Sequence, residues 1–288
     1  MIRSMTSIAT ALLTAVLAVP AGAQHVRTLE SARVLRDSTP VAVRLLLGTG
    51  TLSVGASDPP YLYRSISRFG DAFSAPTSVW NTEQHTLTLT AAQRNRARTS
   101  RSTDDSDDDG QAQDWRVQLT RRAPLELTID ATAADATLDL TGLPLRRFAL
   151  HSGAAAALVR FDAPNPESMS VFDAVVGAGG LKLIGLGNAG ASEARIESNI
   201  GDLSLDLGGR WPRDMQIAIR SSVGDVKITA PPTIGIELQS TGLLARESFE
   251  GAFTKSGGVW RSANFAASTV KVRFVVKSML GKIELIQR

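Results

Sequence analysis

Four groups of residues have types and spacings that could do chemistry. "GLGNAG", Gly185 to Gly190, matches G-x-G-x-x-G, the fingerprint that seats a dinucleotide pyrophosphate on free N–H groups at a helix start. Asp105, Asp107 and Asp109 with Gly110 match D-x-D-x-D-G, the first half of a calcium loop. Asp202 and Asp225 each follow a glycine in similar surroundings, and carboxylates on neighbouring strands could divide acid–base work on a glycan. His151 and Ser152 are the residue types of a base and its nucleophile, and Trp211 could stack a sugar.

What these residues can do depends on the elements that carry them. A dinucleotide loop needs a strand before it and a helix after it. "LKLIGL" reads as the strand, but the chain then runs "ASEARIESNIGDLSLDLGG", where only "ASEAR" could be helical, too short for a crossover helix. "GDLSLDLGG" alternates, with Leu203, Leu205 and Leu207 on one face, so a second strand follows and the glycines are expected to bend backbone. The calcium loop fails at its twelfth position, Arg116, where a bidentate Glu is required. Arg94, Arg96, Arg98 and Arg101 lie just upstream, and a solvated, self-neutralised charge run is expected instead. Adjacent residues on a strand face opposite ways, so His151 and Ser152 cannot meet. His25 and His85 add no zinc spacing. Trp211 is expected to pack over its own turn, "GGRWPRD", with a stacked sugar as the alternative.

The two aspartates belong to a repeat. "IESNIGDLSLDL" recurs as "AIRSSVGDVKIT" and "VVKSMLGKIELI", with weaker copies in "ATAADATLDLTGL", "ALHSGAAAALVRF" and "AVVGAGGLKLIGL". Alignment puts a small residue at 134, 155, 179, 201 and 224, steps of 21, 24, 22 and 23, and again at Gly281. Apolar residues stand two and four places later, and a serine recurs three places earlier at Ser152, Ser198, Ser221 and Ser278. A period in the low twenties without helical pattern means two short strands and a turn per unit, stacked as a β-solenoid. The positions matching Asp202 and Asp225 are Asp135, Ala156, Gly180 and Lys282, which is no acidic cluster.

"LDLTGLPLRRFALHSGAAAALVRFDAPNP", "GLGNAGASEARIESNIGDLSLDLGGRW" and "FTKSGGVWRSANFAASTVKVRFVVKSMLGKIEL" resemble the bacterial toast-rack proteins, relatives of cell-wall-antibiotic-response and adhesin β-solenoid domains. The resemblance covers roughly residues 45–288, and "GTGTLSVGASDPPYLYRSISRF" looks like the family's N-terminal domain. It implies a right-handed β-solenoid in the cell envelope and brings no catalytic or ligand residues.

The N-terminus, "MIRSMTSIATALLTAVLAVPAGAQ", has a basic start, an apolar run from Ile8 to Val19 and an A-x-A site before Gln24, the pattern of a cleaved secretory signal over residues 1–23. That run is shorter than a membrane span needs. With no cysteine in 288 residues, disulfides contribute nothing to stability. A net charge of +3 with no basic stripe argues against nucleic acid as a partner.

The expected organisation is therefore all-β. A smaller, largely antiparallel β domain spans 24–125, carrying a disordered charged hairpin loop at 94–114, and the solenoid spans 126–288. No catalytic, cofactor-binding or metal-ligating residues are expected. The expected role is a non-enzymatic binding or scaffold module, which the resemblance links to envelope-stress response or adhesion, with an envelope protein or glycan as partner, met in the periplasm or at the cell surface. The competing reading is a secreted carbohydrate-active enzyme on the same scaffold.

Overall fold

The computed structural model describes residues 26–92 and 113–288. Its strands range from four to seventeen residues and mostly alternate. In the first part they are β1 (Arg27–Val34), β2 (Val41–Ala56), β3 (Tyr61–Phe69), β4 (Thr77–Asn81), β5 (Thr86–Ala91), β6 (Asp114–Leu119), β7 (Leu125–Asp139), β8 (Leu145–Ala154) and β9 (Ala157–Arg160). There follow β10 (Val171–Ala178), β11 (Leu181–Ile184), β12 (Glu193–Ile200), β13 (Leu203–Asp206), β14 (Met215–Val223) and β15 (Val226–Ala230). The last are β16 (Gly235–Glu250), β17 (Phe253–Ser256), β18 (Val259–Ser262) and β19 (Lys271–Gln287).

The repeats stack as the period predicts. From β8 to β15 each coil is a longer and a shorter strand meeting at the small residue, whereas β2, β7, β16 and β19 run through theirs as single strands, and like positions pair in parallel from coil to coil. One inner column runs Leu127, Phe148, Phe172, Ala194, Ile217, Phe274, Leu238. The facing column runs Ala136, Ala157, Leu181, Leu203, Val226, Ile283. All are buried, so alternation in each strand delivers one continuous core between the two faces of a single wound sheet. Phe148 and Phe172 stack with ring centroids 5.0 Å apart, and Ala194 leaves room beneath them.

The chain does not lay its coils down in simple order. β2 pairs with β7 along its whole length and, on its other side, with β5 through its first half and β6 through its second. β19 likewise lies between β14/β15 and β16. The outer coils are covered by antiparallel strands: β4 on β5 and β3 with β1 on β6 at one end, and the β17–β18 hairpin on β16 at the other.

Two readings change as a result. The repeats begin before residue 126: Gly50, at φ 118°, pairs with Ala134, and Leu45, Leu52 and Val54 occupy the repeat's apolar positions. The parallel ladder therefore crosses residue 125 without a break. β5 and β6 do not form a hairpin with each other; they are the two halves of one coil, because both find parallel edges on β2. β19 is itself an interior rung, since β16 lies beyond it. The 1–23 leader, His25 and the Asp105–Gly110 acidic run lie outside the described residues.

Candidate functional site

The corners answer what the glycines and aspartates do. Gly201 and Gly224 have φ of 133° and 139°, a region L side chains rarely adopt. A Cβ on Gly224 would also run into the Gly201 carbonyl of the coil below. Inside the corner, the hydroxyls of Ser152, Ser198 and Ser221 donate to the carbonyl three residues on, at 3.3, 3.2 and 3.5 Å. Outside it, the carboxylates bridge coils. Asp135 Oδ1 accepts the Ala156 N–H at 3.0 Å, Asp202 Oδ1 the Asp225 N–H at 2.9 Å, and Asp225 Oδ1 the Lys282 N–H at 2.8 Å. The structure brings Asp202 and Asp225 to adjacent coils, as the repeat requires, and uses each as a backbone acceptor.

Gly185 and Gly190, at φ 70° and 64°, flank a single 3₁₀ turn, Leu186–Ala189, the only helical turn among the described residues. Gly187 is glycine for another reason: a Cβ there would lie 2.5 Å from the Trp211 Nε1. That Nε1 donates to the Leu207 carbonyl at 2.8 Å, so Trp211 packs over the turn. Asn188 ties turns together, its amide donating to the Phe161 carbonyl at 3.0 Å and its Oδ1 accepting the Arg210 N–H at 2.8 Å.

His151 points outward and Ser152 inward, so they stay apart. His151 Nδ1 instead lies 2.9 Å from Asp130 Oδ1, while Arg44 Nη2 lies 2.9 Å from Asp130 Oδ2. Burial pushes the Asp130 carboxyl up, but the hydrogen bonds and charges of His151 and Arg44 outweigh it and hold the pKa below the usual carboxylate range. A depressed carboxylate contributes stability above its unfolded pKa of about 4, and loses it as pH falls through the folded value. Asp130→Asn is therefore expected to lower stability by about 1 kcal/mol at neutral pH. The gap to wild type should close below about pH 4, as thermal melts across a pH series would show.

Two of the concave places among the described residues carry a mixture of polar and apolar groups. Pro164, Asn165, Glu167, Ser168, Arg210 and Arg213 line a groove of about 210 Å³ on the turn side. At the β1 end, Arg33, Arg36, Asp37, Trp80 and His85 line a cleft of about 110 Å³. The Arg33 guanidinium sits 4.7 Å from the Trp80 ring centroid, and the His85 ring meets it edge-on at 6.0 Å. The Thr39 hydroxyl and N–H hold the Asp37 carboxyl low. Sequence reading missed this cluster because its members come from β1, the linker after it and the β4–β5 turn, which no spacing rule connects. His85 at φ 48°, the one non-glycine residue with positive φ among those described, marks that tight turn. Among the described residues, no group of three or more His, Asp or Glu could hold a metal ion, and no helix is long and apolar enough to cross a membrane.

Stacked parallel coils, one sheet wound around one core and strand-covered ends define a β-solenoid protein. The chain belongs to the toast-rack family: the family described as "N-terminal domain of toast_rack, DUF2154" matches residues 23–184. No curated protein matches it. Among solved structures, a proposed cell adhesion protein from Clostridium sporogenes is 13% identical with a TM-score of 0.43, covering 91% of this chain and 100% of that one. A proposed adhesin from Bacteroides fragilis is 12% identical at 0.43, covering 91% and 98%. One from Parabacteroides distasonis is 11% identical at 0.40, covering 89% and 97%.

Proposed function

We propose that this chain is a non-enzymatic, exported cell-envelope protein, a rigid β-solenoid that binds or scaffolds an envelope protein or glycan. The observation that carries this reading is the corner ladder. The carboxylates best placed for catalysis, Asp202 and Asp225, are engaged in holding coil to coil through backbone amides. Polar chemistry at the corners thus serves stiffness. The export part rests on the leader-like residues 1–23. For the ligand we place first the Trp80 cleft, where an aromatic ring, Arg33, Arg36 and Asp37 combine the apolar face and polar groups a sugar or its carboxylate needs.

The test uses the full chain expressed with its leader. Periplasmic release with a new N-terminus at Gln24 is expected, and retention of Met1 in the cytoplasm would overturn export. The mature protein should co-sediment with purified peptidoglycan sacculi or with an acidic exopolysaccharide, and Trp80→Ala should weaken that binding severalfold. Release of reducing ends or unsaturated sugars from either polymer would establish the enzyme instead.

A further inference from the structure

One corner carries an apolar ridge that alternation does not explain. The residue just before the corner faces solvent, and in-register pairing lines up Ala154, Ala178, Ile200, Val223, Leu280 and Leu244 along the stack. Over the last four rungs the row turns from alanine to large apolar side chains. Met279 and Leu243 stand beside it, and exposure across the patch runs from 44% at Val223 to 82% at Leu243. Large residues this exposed, in a contiguous row on stiff strands, mark an interaction surface.

The row on the other side of the corner tells what covers it. Asp202, Asp225, Lys282 and Arg246 follow one another along the same four rungs, joined by the carboxylate–amide contacts and by the Lys282–Arg246 pairing. Their charges read minus, minus, plus, plus. Such a row is complementary to itself when reversed. A twofold axis between the Val223 and Leu280 rungs sets Asp225 against Lys282 of a second copy and Asp202 against Arg246, while Ile200 meets Leu244 and Val223 meets Leu280. An anionic lipid surface would favour cations along the whole row and be repelled by the aspartate half. Arg246 has no ion-pair partner among the described residues, whereas Lys282 Nζ bonds Glu284 at 2.6 Å. Reversal at Arg246 is therefore the cleaner probe.

We infer that this ridge is a twofold self-association surface, on which two copies pair antiparallel through residues 200, 223, 244 and 280. This goes beyond the envelope-binding reading and stands without it. Rungs about 4.8 Å apart make the ridge roughly 14 Å long, so the interface is small and the dimer weak and concentration-dependent.

Sedimentation of the mature chain from micromolar to millimolar concentration should show a monomer–dimer equilibrium. Leu244→Asp should weaken it at least tenfold with an unchanged melt, because the side chain is exposed. Arg246→Asp and Asp202→Arg should each weaken it, and the double exchange should restore much of the loss, as only a reversed pairing allows. Asp202→Arg also removes an acceptor for the Asp225 N–H; if it does not fold, Leu244→Asp and Arg246→Asp decide. A monomer at every concentration, a dimer indifferent to Leu244→Asp, or a double exchange no better than the worse single would overturn the inference. So would a monomer that binds phosphatidylglycerol vesicles through the ridge.

Discussion

Removing residues 271–288 should abolish folding rather than trim an end. β19 carries Val272, Phe274, Val276, Ile283 and Leu285 into the core, all at most 1% exposed. Each is worth about 1.5–3 kcal/mol of burial, against a total stability of about 5–15 kcal/mol for a typical domain. Position makes the loss worse. β19 is hydrogen-bonded on both sides, to β14 and β15 on one and to β16 on the other, so its removal opens two edges inside the stack. The β17–β18 hairpin loses its support as well. Trp260 on β18 stacks on Phe249 of β16 at 4.2 Å, and its Nε1 donates to Glu247, which also accepts from Ser240 and Lys255. The expected product is aggregated or unfolded. A soluble, monomeric truncation with unchanged far-ultraviolet circular dichroism would show that the coils do not need their interior rung.

Gly224→Val should be among the most damaging single substitutions at a corner, alongside changes at Gly50, Gly201 and Gly281. Two costs add: a β-branched residue at φ 139°, and a Cβ driven into the Gly201 carbonyl of the neighbouring coil. Together these are expected to cost about 3 kcal/mol or more. Two controls separate them. Gly257→Ala places a Cβ at φ 58° with nothing within 4 Å, so it meets strain without collision and should cost about 1 kcal/mol. Gly55→Val also meets nothing within 4 Å and lies within β2, so it should be close to neutral. Equal melting temperatures for Gly224→Val and Gly55→Val would remove the corner glycines from any structural role.

The repeat was readable because its units are adjacent in sequence and each carries the same short signature of corner residue and alternating apolar positions. Gly50 carries that signature too, with Leu45, Leu52 and Val54 in place, yet its coil went unread. Its neighbours in space are β5, β6 and β7, well downstream, so no regular spacing announced it. β16 was hidden differently. At its corner, Ala245, the flanking positions hold Ser240, Gly242 and Glu247, polar or small because the rung lies at the end of the stack and meets the hairpin instead of another coil. Asp202 and Asp225 were visible as a pair, but only the cross-coil amides show what they hold. The Trp80 cleft gave no sequence signal because β1, the linker after it, and β4 with its turn to β5 assemble it.

The interleaving at the two ends sets an order of events during synthesis. At the first end β2 emerges early and waits, since both of its flanks are filled by strands made later. At the other, β16 is made before β19 but pairs with β15 nowhere, leaving a slot one strand wide that only the last seventeen-residue strand can enter. Until β19 has been made, that slot and the apolar columns beside it stay open. The rod therefore closes like a latch, with the C-terminal strand as its bolt, and a chain interrupted anywhere before Gln287 carries an exposed edge that marks it as unfinished.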